Sequence, residues 1–104
     1  MNYNQEKQEV EKLFKQCLEM LCSKANDYAK DEDVFSNFKK IAYLSDIPTE
    51  KTFLVFMTVK IARLAELLSG KEPNNESIDD SLIDIINYSA LLTIYRKEQN
   101  GKDN

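Results

Sequence analysis

Histidine is absent from this 104-residue chain. Its absence removes the commonest metal ligand, the commonest general base and the imidazole partner of serine and cysteine nucleophiles. Any chemistry must come from carboxylates, amines, hydroxyls or thiols. Glycine and proline number two each, too few to turn the many hairpins of an all-β fold. Basic charge is also short: 14 Lys and Arg against 18 Asp and Glu give a formal net charge of −4 and a pI near 4.8. Such a balance does not supply the dense basic surface that a nucleic acid backbone attracts, so no polymer of that kind is expected as a partner. A local basic pocket is still compatible with it.

The two cysteines, Cys17 and Cys22, lie five residues apart on one expected helix. That spacing points them in different directions and matches neither a redox pair nor a zinc site, so both are expected as reduced core thiols. The opening "MNYNQEKQEVEK" lacks the apolar core of a signal peptide. No run approaches the roughly 20 apolar residues of a membrane span. A cytoplasmic protein is the expectation.

What is present is helical periodicity. From about Gln5 to Tyr28, apolar residues recur at Val10, Leu13, Phe14, Cys17, Leu18 and Leu21, the pattern of an amphipathic helix. Asp33 is a plausible N-cap for a shorter helix to about Leu44, with Phe35, Phe38, Ile41 and Ala42 inward. "SDIPTEK" interrupts, and Pro48 suits the first turn of a third helix that runs to about Ser69, with Gly70 at its C-terminal cap. After the loop "KEPNNE", the S-x-x-D of "SIDD" marks the start of a fourth helix, with Ser77 as cap and Asp80 reaching back, running to about Lys97. Residues 1–4 and 98–104 are expected to fray.

No repeat, low-complexity tract or long linker divides the chain. The expectation is a single all-α domain over 1–104, a bundle of three long helices and one short one. A protomer of this length buries its core only modestly, which favours an oligomer.

The third helix raises a question of its own. Phe53, Met57, Ile61, Leu64 and Leu68 form an apolar stripe, and Lys60 falls on its line with Arg63 one turn on. Long basic side chains often lay their stems along a core and lift the charge to solvent. On the fourth helix, however, Asp84 is flanked by Leu82, Ile83, Ile85 and Ile86. An unpaired carboxylate there is too costly to bury, so a Lys60 or Arg63 partner across adjacent helices is the simple structural reading. Asn87 and Tyr88 add amide and phenol groups beside that carboxylate. "DYAKDEDVFSNF" adds Asp27, Tyr28, Phe35, Asn37 and Phe38, a mixture suited to stacking a base and bonding its edge. Phe35 and Phe38 also read simply as the core face of the second helix.

"VKIARLAELLSG" followed by "IDDSLIDIINYSALL" resembles the two signature helices of the all-α nucleotide pyrophosphatase superfamily, the MazG-like and dimeric dUTPase-like proteins. The series from "NDYA" through "FSNF" to "INYSALLTIY" is similar to small phage proteins of the nucleotide-modification-associated type within that group. The resemblance covers residues 24 to 96. It implies a MazG-like helical scaffold, an oligomer and, in the superfamily's enzymes, acidic motifs that hold magnesium against substrate phosphates. Laid on this chain, the first motif falls on Val59, Lys60 and Arg63 and the second on Ser81 and Asp84. Only Asp84 stays acidic, although Glu66 and Asp80 lie one turn away from Arg63 and Asp84.

Magnesium takes oxygen ligands, and cations at two of those positions would repel it. The resemblance with its lost acids therefore implies a nucleotide-binding protein, phage-encoded and non-hydrolytic, that needs no cofactor and could sequester a nucleotide signal of host defence. Lys60 and Arg63 would hold phosphates, Asp84 would orient a basic side chain or bond ribose, and Asp27, Tyr28, Asn37, Asn87 and Tyr88 would meet base or ribose. Two alternatives stand beside it. One is a magnesium-dependent nucleoside triphosphate pyrophosphatase using Asp84, Glu66 and Asp80. The other is a helical protein-binding adaptor in which the charge cluster is only an ion pair.

Overall fold

Four helices and no strand make up the described part of the chain: α1 (Tyr3–Tyr28), α2 (Ser36–Ser45), α3 (Thr49–Leu68) and α4 (Ile78–Lys102). The computed structural model describes residues 1–28, 33–72 and 77–102, with the backbone alone for 24–28. The fold is all-α, three long helices and one short one, as the periodicity implies.

Each helix has a chemical reason to start or stop where it does. Asn2 and Gln5 cap α1 reciprocally: the Asn2 N–H donates to Gln5 Oε1 at 2.8 Å and the Gln5 N–H to Asn2 Oδ1 at 2.9 Å. Two otherwise orphaned donors are satisfied. At α2, Asp33 accepts the Phe35 N–H at 2.9 Å and the Lys39 ammonium at 2.6 Å. Asp33 thus organises the turn ahead of α2, and the helix itself opens two residues later than a cap at Asp33 would give. Pro48 stands just ahead of α3 in extended conformation, at its N-cap and not inside its first turn.

α3 stops at a Schellman arrangement. The Gly70 N–H bonds the Leu67 carbonyl at 3.2 Å and the Lys71 N–H bonds that of Glu66 at 3.3 Å. Gly70 adopts φ +101° there, a conformation that a Cβ would strain. The α4 cap is the expected box: the Asp80 N–H donates to Ser77 Oγ at 3.1 Å, and the Ser77 N–H to Asp80 Oδ2 at 3.3 Å. α4 then continues through Gly101 to Lys102, past the Lys97 end expected from the polar tail.

The principal packing is α3 against α4, with α2 on α3 and α1 on α4. The core is aromatic. Phe35, Phe53 and Tyr95 are buried together, flanked by Phe38, Leu91 and Leu92. Phe38 stacks on Phe53 at 4.4 Å between ring centroids, and Phe35 meets Tyr95 edge-on at 5.3 Å, geometries that suit the ring quadrupoles. Phe35 and Phe38 are therefore core residues.

Two faces depart from the sequence reading. On α3 the buried residues are Thr52, Phe53 and Leu67, with Phe56 and Lys60 half-buried, whereas Ile61 and Leu68 are exposed. The helix is rotated so that its expected core stripe lies at the edge of the contact with α4. On α1, Cys17 is buried and Met20 and Leu21 are half-buried, but Val10, Leu13, Phe14 and Leu18 face out. Cys22 is exposed, so only one of the two thiols belongs to the core.

Candidate functional site

The rotation of α3 places Lys60 directly against α4. Its ammonium lies 3.0 Å from Asp84 Oδ2, with the two side chains 23% and 10% exposed. The pair forms because Lys60 follows Phe53 and Phe56 on the face of α3 turned to α4, and Asp84 follows Ser81 on the matching face. Opposite charges taken this far from water hold each other there, since either alone would carry a large desolvation penalty.

Ser81, one turn before Asp84, is completely buried, and its hydroxyl has no hydrogen-bond partner among the described residues. Asn87 lies one turn after Asp84, buried, and its side-chain amide donates to the Cys17 carbonyl at 3.0 Å. That bond ties α4 to α1 through one N–H of the Asn87 amide. Tyr88 stacks on Phe56 at 5.5 Å with the rings 14° apart, and meets Phe38 edge-on at 6.4 Å. Phe38, Phe56 and Tyr88 thus form an aromatic patch continuous with the core through Phe53.

Arg63 is exposed, one turn beyond Lys60. It lines an open depression of about 380 Å³ together with Val59, Ala62, Glu66, Leu67, Lys71 and Glu72, a volume at the lower end of small-molecule pockets. Lys71 reaches this place because the Schellman turn at Gly70 folds the chain back beside the last turn of α3, where Lys71 pairs with Glu66 at 3.7 Å. The α3 end therefore offers two cations and two carboxylates around one concavity. Lys71 and Glu72 carry no periodic signal and are missed by reading helices alone; the glycine that turns the chain back is the clue to them.

The sequence-derived candidates separate into groups. Lys60 and Asp84 are brought together, and Arg63 and Glu66 share the depression. Asn37 is exposed on the first turn of α2. Asp80 is engaged in its cap. The side chains of Asp27 and Tyr28 lie outside the described residues, and these two are placed only as the last residues of α1.

A magnesium site does not fit the described carboxylates. Asp84 faces an ammonium, Glu66 faces another and Asp80 accepts a backbone N–H. Among the described residues no group of three or more Cys, Asp and Glu comes together for a metal ion. Nor is any described helix long and apolar enough to cross a membrane.

Compared with known proteins, the chain matches no family model, and neither a curated protein nor a solved structure is significantly similar to it.

Proposed function

We propose that this protein binds a nucleotide without hydrolysing it, with phosphate taken at the end of α3. The observation that carries the reading is the position of Arg63, exposed on a 380 Å³ depression one turn from the Lys60–Asp84 pair. A guanidinium presents a planar fork of donors that bonds two phosphate oxygens at once. Lys71 supplies a second cation at the same rim, and the Glu66 and Glu72 carboxylates are acceptors suited to ribose hydroxyls or a base amino group.

Lys60 has a different part from the one its sequence position implies. Its charge is balanced by Asp84, so its contribution is to hold α3 against α4 one turn from Arg63. The Phe56–Tyr88 stack offers an aromatic edge on the same pair of helices. Binding without turnover is the reading that goes with cations beside the carboxylates: among the described residues Glu66 stands against Lys71 and Asp84 against Lys60. In the small phage proteins that the chain resembles, such capture would suit sequestration of a nucleotide signal of host defence.

A thermal-shift panel of the purified chain against nucleoside mono-, di- and triphosphates, cyclic dinucleotides and ADP-ribose tests this. A ligand that binds the folded state alone must raise its apparent stability. The expected result is a shift without added magnesium and recovery of the ligand intact. A shift that requires magnesium and fades as ligand is consumed would replace the reading with a pyrophosphatase. No shift with any nucleotide would remove it, and leave the adaptor reading.

A further inference from the structure

The depression at the end of α3 carries its charges in alternation. Along the helix and past the turn at Gly70, the charged part of its lining reads Arg63, Glu66, Lys71 and Glu72, two cations and two carboxylates with no net charge. Glu66 lies one turn beyond Arg63 on the helix surface, and its carboxylate stands 3.7 Å from the Lys71 ammonium. A carboxylate is therefore set between the two cations. Glu72 follows Lys71 directly, exposed on the same depression.

That order limits how much phosphate the site can hold. A phosphate monoester carries about −1.5 to −2 charge at pH 7, as much as Arg63 and Lys71 together can meet. A chain of two or three phosphates laid along the same lining sets one of them against a carboxylate, and like charges brought that close weaken binding. The net charge of −4 on the whole chain adds to the penalty. Among the described residues no third cation lines the depression.

The carboxylates select the other end of the ligand. An ionised carboxylate accepts hydrogen bonds and donates none, so Glu66 and Glu72 favour a base edge that presents N–H groups. Guanine offers its ring N–H and its exocyclic amino group side by side, a fork that one carboxylate accepts with both oxygens. Uracil turns two carbonyl oxygens outward around a single N–H, and the same carboxylate repels them. The volume of about 380 Å³ lies at the lower end of small-molecule sites and suits one base, one sugar and one phosphate.

We propose that the end of α3 takes a nucleotide with a single phosphate group and a donor-bearing base edge, guanosine monophosphate being the best match, with the phosphate at Arg63 and Lys71 and the base edge at Glu72. The inference rests on the reading of this depression as a nucleotide site and adds the class of its ligand.

The test is calorimetric titration of the full chain, without magnesium, with guanosine monophosphate, guanosine triphosphate and uridine monophosphate. Guanosine monophosphate is expected to bind at least about tenfold more tightly than either of the others. In Glu72→Gln, which keeps an acceptor oxygen and gains donors, both gaps are expected to narrow, with the urea midpoint measured alongside as a check on folding. A triphosphate that binds as tightly as the monophosphate, or a uridine nucleotide that binds as tightly as the guanosine one, would overturn the proposal and leave nucleotide capture standing. So would gaps unchanged in Glu72→Gln, or binding of none of the three by a chain that another nucleotide stabilises. No binding of any nucleotide removes the reading on which the proposal rests, and the proposal with it.

Discussion

Lys60 and Asp84 pair where α3 meets α4, and each helps hold the other's charge there. The pair is mostly removed from water, so its net worth is small while the loss of one member is expensive. Lys60→Met should destabilise the chain by about 3 kcal/mol in urea unfolding, because Asp84 is then left without its ammonium. The double variant Lys60→Met/Asp84→Leu should return to within about 1 kcal/mol of wild type. Equal losses in the single and double variants would show that the pair is not what holds the two residues.

Asp33 and Lys39 are a contrasting pair at the surface. The hydrogen bond from Lys39, then that from the Phe35 N–H, holds the Asp33 carboxyl below its ordinary 3.8, and the same Asp33 contact holds Lys39 above its ordinary 10.5. A depressed carboxyl stabilises above its unfolded value and loses that contribution as pH falls through the folded one. A raised ammonium stabilises below its unfolded value and loses it as pH rises through the folded one. The turn ahead of α2 should therefore keep its geometry from about pH 4 to pH 10 and loosen on either side. NMR titration of the Asp33 carboxyl should show a midpoint below 3.8 that moves up in Lys39→Ala. The cysteines give a third check: burial raises the Cys17 thiol while Cys22 is exposed, so brief alkylation of the native chain should label Cys22 and spare Cys17.

At the scale of elements, the helices were legible in the sequence where side chains announce their own ends. Ser77 and Asp80 form the box that their spacing implies, whereas the Asn2–Gln5 box that caps α1 stands where the sequence reading expects a frayed end. The orientation of α3 was not legible. Apolar residues occupy so much of its circumference that two stripes compete, the one read through Phe53, Met57, Ile61, Leu64 and Leu68 and the one observed through Phe53, Phe56 and Leu67. Periodicity cannot rank them. The ranking comes from partners on other helices, Phe38 on Phe53, Tyr88 on Phe56 and Asp84 on Lys60, which no single-helix pattern contains.

The anchoring of α1 has the same long-range character. Beside the packing of Cys17, Met20 and Leu21, it includes a buried bond from the Asn87 amide to the Cys17 carbonyl seventy residues away. Asn87→Ala should lower stability by about 1 to 2 kcal/mol, and hydrogen exchange should speed up in α1 more than in α3. Uniform acceleration across the four helices would contradict that assignment. Of the candidate site, Lys60, Arg63 and Asp84 were visible as misplaced charges, whereas Lys71 and Glu72 enter only through the turn at Gly70.

At the scale of the whole molecule, an acidic chain carries a small mixed-charge concavity at the C-terminal end of α3, where cations also suit the negative end of the helix dipole. Net charge −4 repels an anion at long range, so binding of a nucleotide must rest on close contacts at Arg63 and Lys71 and should weaken only mildly with salt. The most direct measurement is calorimetric titration, without magnesium, of the nucleotide that gives the greatest thermal shift into wild type and into Arg63→Ala. The urea midpoints of the two proteins, measured alongside, separate any change in folding from a change in binding. Saturable binding by wild type, weakened at least about tenfold in the variant, or about 1.4 kcal/mol, is the expected result; equal affinity in the two proteins would contradict capture of phosphate at the end of α3.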